Sequence, residues 1–165
     1  KIFRTEKINT HGGSLRIYVK KNKKIKINSS VKELLNKEEK FGIQKYETYK
    51  NFAKKIYEIK DKVVNNITLL KNKKNNIVGY GSPAKATTAV NFFGISDKIN
   101  CIVEDNFLKQ GTFLPGTKIP IIAKENLIKK PDCILVLAWN YFEEIKKNNS
   151  ELANKFINIK DLGKD

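Results

Sequence analysis

The stretch Ile77-Val78-Gly79-Tyr80-Gly81-Ser82-Pro83-Ala84-Lys85 passes from a short apolar run into closely spaced glycines and then into a helical pattern. A strand is joined to a phosphate-binding helix in this way. Gly79 and Gly81 can adopt backbone angles closed to other residues and let a ligand approach the main chain, and Pro83 suits the first helical turn, where an N–H has no partner to lose. Amides at the helix start then face whatever sits above the strand end. Structural strand-to-helix turns use glycine too, so the spacing leaves a phosphate cradle and a plain turn both open. Lys85 falls in the first helical turn, where a cation opposes the helix dipole by a few tenths to about 1 kcal/mol. An anionic ligand beside it would offset that cost, and the chain's richness in lysine is the plainer alternative.

Two further clusters end apolar runs: Glu104-Asp105-Asn106 and Trp139-Asn140. Glu104 lies 23 positions after Gly81, close to the roughly 20 at which a dinucleotide fold places its ribose-binding carboxylate. A strand end followed by a turn also favours acidic residues, so both explanations stand. His11, the only histidine, precedes two glycines and a serine; proton transfer, a phosphate contact or a structural turn would each suit it. Neither a Ser-His-Asp nor a Cys-His set is evident, and no metal-ligand spacing occurs. The chain by itself reads as a binding module. Cys101 and Cys133 lie far apart in apolar runs, as buried structural thiols do.

The elements that must hold these residues follow from periodicity. Residues 2–9 and 14–20 alternate as two strands of a hairpin around Thr10-His11-Gly12-Gly13. Ser29 or Ser30 can cap a short helix from Val31, with Glu33 completing a capping box and Gly42 marking its end. From Gln44 to Lys71, apolar residues recur at steps of three and four (Tyr46, Tyr49, Phe52, Ile56, Ile59, Val63, Ile67, Leu70), which predicts one long amphipathic helix. Its stripe suits its own sheet better than a dimer seam. The pattern then predicts strands at 77–80, 99–104, 119–122, 133–138 and 155–159, and helices at 83–93, 124–130 and 141–149. Runs such as Cys133-Ile134-Leu135-Val136-Leu137-Ala138 are apolar on both faces, as a parallel sheet covered by helices requires. The expected fold class is α/β: a Rossmann-like open, mostly parallel sheet with flanking helices, preceded by a β-hairpin and the long helix. The expected division is hairpin 1–20, helical connector 21–75 and sheet domain 76–165. Ligands of such sheets sit beyond the strand carboxyl ends, where the three clusters would meet.

The net charge of +16 invites a nucleic-acid reading. Only Arg4 and Arg16 among the 33 basic residues are arginine, and no arginine forks interleave with stacking aromatics. Lys20-Lys21-Asn22-Lys23-Lys24 and Lys71-Asn72-Lys73-Lys74 therefore read as solvated loops. No apolar run approaches the roughly 18 residues of a membrane span, and no signal peptide is apparent; a soluble, cytoplasmic protein is expected, with no nucleic-acid or membrane partner. The chain starts at Lys1, lacks methionine and opens inside a strand, so it is expected to be a fragment of a longer polypeptide.

Four motifs in order, Thr10-His11-Gly12-Gly13-Ser14-Leu15-Arg16, Gly79-Tyr80-Gly81-Ser82-Pro83-Ala84-Lys85, Lys109-Gln110-Gly111-Thr112-Phe113-Leu114-Pro115-Gly116-Thr117-Lys118-Ile119-Pro120-Ile121 and Ala138-Trp139-Asn140, resemble the carboxy-terminal domain of S-adenosylmethionine-dependent C-methyltransferases that act on nucleotide-linked deoxysugars. The resemblance implies a parent with an amino-terminal zinc-binding segment, a central domain holding S-adenosylmethionine, and this domain gripping a nucleoside-diphosphate sugar, dTDP-linked by expectation. In such enzymes a keto sugar loses a proton beside its carbonyl and the enolate takes the methyl group, which requires both substrates to be held in line. The resemblance would place Gly79, Gly81, Ser82, Ala84 and Lys85 on the diphosphate and Glu104 and Asp105 on the nucleoside. Asn106, Lys109, Thr117, Trp139 and Asn140 would frame the site, with His11 and Arg16 toward a cleft between domains. The hairpin resembles the end of the methyltransferase domain. The family's Tyr-x-Glu-His segment, zinc cysteines and S-adenosylmethionine glycine loop are absent, so no cofactor and no turnover are expected of these residues alone. A nicotinamide-dinucleotide domain shares the glycine loop, although Pro83-Ala84-Lys85 is unusual for one.

Overall fold

In the computed structural model, which describes residues 1–21, 24–73 and 76–164, five parallel strands form a sheet. They are β3 (Ile77–Tyr80), β4 (Cys101–Val103), β5 (Ile121–Ile122), β6 (Cys133–Val136) and β7 (Phe156–Asn158), in the order β5-β4-β3-β6-β7. The chain leaves β3 toward one edge and returns past it to the other, so the strand order reverses at β3, where such sheets open a crevice. Alternation explains burial on both faces. Ile77, Ile102, Cys133, Leu135 and Leu137 join one core cluster, and Val78, Tyr80, Val103, Ile134 and Val136 join the other. The expected parallel α/β sheet is therefore the observed one.

The preceding elements are a two-stranded antiparallel hairpin of β1 (Ile2–Ile8) and β2 (Ser14–Val19), then α1 (Ser29–Phe41) and α2 (Tyr46–Lys73). Two compact units result, residues 1–55 and 56–165, with α2 beginning in the first and ending in the second. In the first unit, α1 is capped by Asn28, not by the predicted Ser29 or Ser30: the Asn28 side chain accepts from the Ser30 amide at 3.0 Å. Ser30 is instead tied to β1, its hydroxyl accepting from the Thr5 amide and its carbonyl from the Thr5 hydroxyl, both at 3.0 Å. A long-range pairing thus outcompetes the local capping box.

In the second unit the helix stripe meets its sheet through Val63 and Ile67. At the other end of α2, Tyr46, Tyr49 and Phe52 remain exposed, so only the second half of the predicted stripe covers a sheet. Lys71 and Lys73, expected in a loop, belong to the last turn of α2, where cations complement the helix dipole. Asn22, Lys23 and Lys74 of the predicted loops lie outside the described residues. The sheet is completed by α3 (Ala84–Phe93), closed by Gly94, and α4 (Phe142–Asn148). The predicted helix at 124–130 is only a 3-10 turn over Lys124–Asn126. Cys133 is buried as expected, whereas Cys101 is only half-buried. Among the described residues no helix is long and apolar enough to cross a membrane.

Candidate functional site

The carboxyl ends of β3 and β4 converge as the topology requires. A pocket of about 330 Å³ opens there, walled by Gly81, Glu104, Asp105 and Lys109 together with Tyr80 and, from the far side, α4. Gly81 makes the approach possible: its φ is +81°, and a Cβ would lie 2.7 Å from that of Ala138. Gly79 has a different task. It stands inside β3, and a Cβ there would meet Ile102 Cγ1 at 2.8 Å and Leu137 Cδ1 at 3.0 Å, so it lets neighbouring strands pack.

The glycine turn closes on Glu104. The carboxylate accepts from the Ser82 amide at 2.8 Å, the Ser82 hydroxyl at 2.6 Å and the Asn106 amide at 3.1 Å. Lys109 Nζ lies 3.7 Å from it and donates to the Ser82 carbonyl at 3.0 Å. Burial works against ionisation of Glu104, but the Ser82 hydroxyl and amide, the Asn106 amide and the Lys109 charge outweigh it and hold the carboxyl below its ordinary range.

Beside this clasp, the Tyr80 hydroxyl donates to Asp105, 2.9 and 3.0 Å from its two oxygens, and accepts from Asn149 Nδ2 at 3.4 Å. Asn149, 5% exposed, is pinned in turn: its Nδ2 donates to the Ile145 carbonyl at 2.9 Å and its Oδ1 accepts from Lys124 at 2.8 Å. The Tyr80 phenol is pushed up to about 12, chiefly by burial and further by Asp105 and Glu104, against the Asn149 donation. The pocket floor is therefore an uncharged hydroxyl in a fixed orientation.

The remaining expected site residues are placed elsewhere or face other partners. Ala84 is exposed at the first position of α3, and Lys85 sets its ammonium 5.0 Å from the centre of the Trp139 ring. That cation–π contact supplies the favourable partner that its position at the helix start lacks. Trp139 lines a separate apolar cleft with Val63 and Phe93, not the pocket at the strand ends. Asn140 is exposed beside it. Asn106 turns its side chain to the Leu108 amide at 3.1 Å. Thr117 builds the loop before β5, donating to the Leu114 carbonyl at 2.8 Å and accepting from the Ile119 amide at 3.2 Å. His11 and Arg16 belong to the first unit. His11 occupies the hairpin turn with φ +55°, and Arg16 lies 3.8 Å from Glu6.

Sequence reasoning passed over Tyr80, Tyr141, Glu144, Asn148 and Asn149, all of which reach the pocket. Tyr80 stood in the glycine stretch as a spacer. Asn148 and Asn149 resemble any other asparagine in a chain rich in them, but the helix after β6 must start at the same crevice. The four-residue step from Glu144 to Asn148 puts both on one helix face.

Comparison with known proteins agrees with this architecture. A family model described as the C-methyltransferase C-terminal domain matches residues 9–158. The C-methyltransferase NovU of Streptomyces niveus is 30% identical over 144 residues, 86% of this chain and 34% of NovU; the chain spans about a third of that relative's length. Because the family match runs from the hairpin through β7 and takes in every element that builds the pocket, this chain belongs to the family of C-methyltransferase C-terminal domains.

Proposed function

We propose that residues 76–165 are the substrate-holding part of an S-adenosylmethionine-dependent C-methyltransferase whose substrate is a nucleoside-diphosphate keto-deoxysugar, dTDP-linked as the resemblance implies. The observation that carries this reading is the pocket at the strand-order reversal of a chain in this family. Gly81, Glu104, Asp105 and Lys109 contact the ligand in this proposal, with Ser82 holding the turn and Gly79 letting β3 pack beneath it. The chain binds and orients; proton removal and methyl delivery belong to the rest of a cytoplasmic parent polypeptide. Among the described residues no three His, Cys, Asp or Glu side chains are grouped to hold a metal, and the Ser82 amide of the glycine turn is taken by Glu104. These residues do not suit a zinc ion, and we assign zinc and the methyl donor to the parent's other segments.

Calorimetric titration of the chain with thymidine diphosphate and with NAD tests this reading. Tighter binding of thymidine diphosphate is expected, and tighter binding of NAD would make the domain a dinucleotide binder.

A further inference from the structure

We propose that Asn149 is a positioning residue for the pocket: through the Tyr80 hydroxyl it fixes the Asp105 carboxylate in the wall against which a ligand lies. This rests on the sugar-nucleotide reading above and adds to it a residue that reaches Asp105 only through another.

Each hydrogen bond in the chain from Lys124 to Asp105 can run one way only. Lys124 Nζ carries protons and no acceptor, so at 2.8 Å it must meet Asn149 Oδ1, and the Ile145 carbonyl, 2.9 Å away, must meet Asn149 Nδ2. Glu151, 2.8 Å from the same ammonium, anchors the outer end. The amide therefore cannot flip, and it presents an N–H to the Tyr80 oxygen at 3.4 Å. The single proton of the phenol is left for Asp105, whose two oxygens lie 2.9 and 3.0 Å away. One direction of donation runs from an ion pair at the surface to the carboxylate in the pocket wall.

Capping of a helix end does not account for this arrangement. Asn149 follows the last residue of α4, and its bond to Ile145 closes a helix carbonyl, which an exposed asparagine can do equally well. Asn149 is instead 5% exposed, gives a second N–H to Tyr80, and lines the pocket together with Tyr80 and Asp105. Without the phenol, the Asp105 side chain would turn freely, and a ligand would have to order it on binding.

Calorimetric titration with thymidine diphosphate of the wild-type chain, Tyr80→Phe, Asn149→Leu and the double variant tests the link, with the Asp105 side-chain carboxyl carbon resonance of the ligand-free protein as a second readout. Neither substitution adds charge. We expect each single variant to bind about fivefold to tenfold more weakly, the double variant to be no weaker than Tyr80→Phe, and the Asp105 resonance to move in both single variants. Asn149→Ser, smaller and also uncharged, serves the same comparison if the leucine variant does not fold. Unchanged affinity in Asn149→Leu, a loss that persists undiminished in the Tyr80→Phe background, or an unmoved Asp105 resonance would overturn the inference and leave the sugar-nucleotide reading intact. Failure of the wild-type chain to bind thymidine diphosphate would overturn that reading, and the Asp105 resonance would still decide whether Asn149 acts through Tyr80.

Discussion

Ser82 gives both its amide and its hydroxyl to one oxygen of Glu104, at 2.8 and 2.6 Å, so the strand end of β4 locks the turn that follows β3. Glu104 has its folded pKa depressed; its stabilisation is present above the ordinary carboxylate value of 4.5 and is lost as the pH falls through the lower folded value. Denaturant midpoints measured against pH should show an acid limb that is shallower in Glu104→Gln. An identical limb in both proteins would remove Glu104 from the account. Ser82→Ala, which strips one donor from a largely buried carboxylate, should cost about 1–3 kcal/mol at neutral pH.

Gly79, Gly81 and Gly94 are required for different reasons, and alanine separates them. Gly79→Ala forces a methyl group against Ile102 and Leu137 and should cost about 1–3 kcal/mol by overpacking. Gly81→Ala adds a positive φ to its collision with Ala138 and should be worse. Gly94→Ala has the positive φ with nothing within 4 Å, so only the backbone cost of about 1–2 kcal/mol remains. Equal losses at all three positions in chemical denaturation would contradict this division.

Tyr80 should ionise near pH 12 in the folded protein, visible as the difference between ultraviolet titrations of the wild type and Tyr80→Phe. Its raised pKa means the neutral phenol is favoured on folding. That stabilisation is present below the ordinary value of 10.0 and is lost as pH rises through about 12. A difference spectrum that titrates at the ordinary value would mean that burial and Asp105 do not hold the phenol as described.

The two halves of α2 should respond unequally to truncation. Ile67, fully buried against the sheet, should cost about 2–5 kcal/mol as Ile67→Ala. Tyr49, which is 56% exposed, should cost no more than about 0.5 kcal/mol as Tyr49→Ala. Comparable losses in thermal or denaturant unfolding would show that the exposed stripe is packed in solution.

The legible part of this protein was whatever depends on local period and local backbone chemistry. Ile77–Tyr80 and Cys133–Val136 could be placed because a strand buried on both faces must be apolar throughout, and Gly94 because a helix end in the left-handed region favours glycine. The convergence of Gly81, Glu104 and Asp105 followed from topology, since parallel strands deliver their carboxyl ends to one side. Ser30 was harder, because a long-range pairing with Thr5 overrode its local capping preference.

Sequence by itself determined the open parallel sheet and the strand-to-helix turn, because side-chain period and glycine geometry act over a few residues. Only the tertiary structure decided that Gly79 serves packing, that Lys85 rests on Trp139, and that Tyr80 and Asn149, 69 positions apart, share the pocket floor. It also showed Glu104 occupying the amide and hydroxyl of Ser82. Those outcomes depend on which long-range partner gives each group its most favourable contact in the folded chain, and no spacing within a segment encodes that competition.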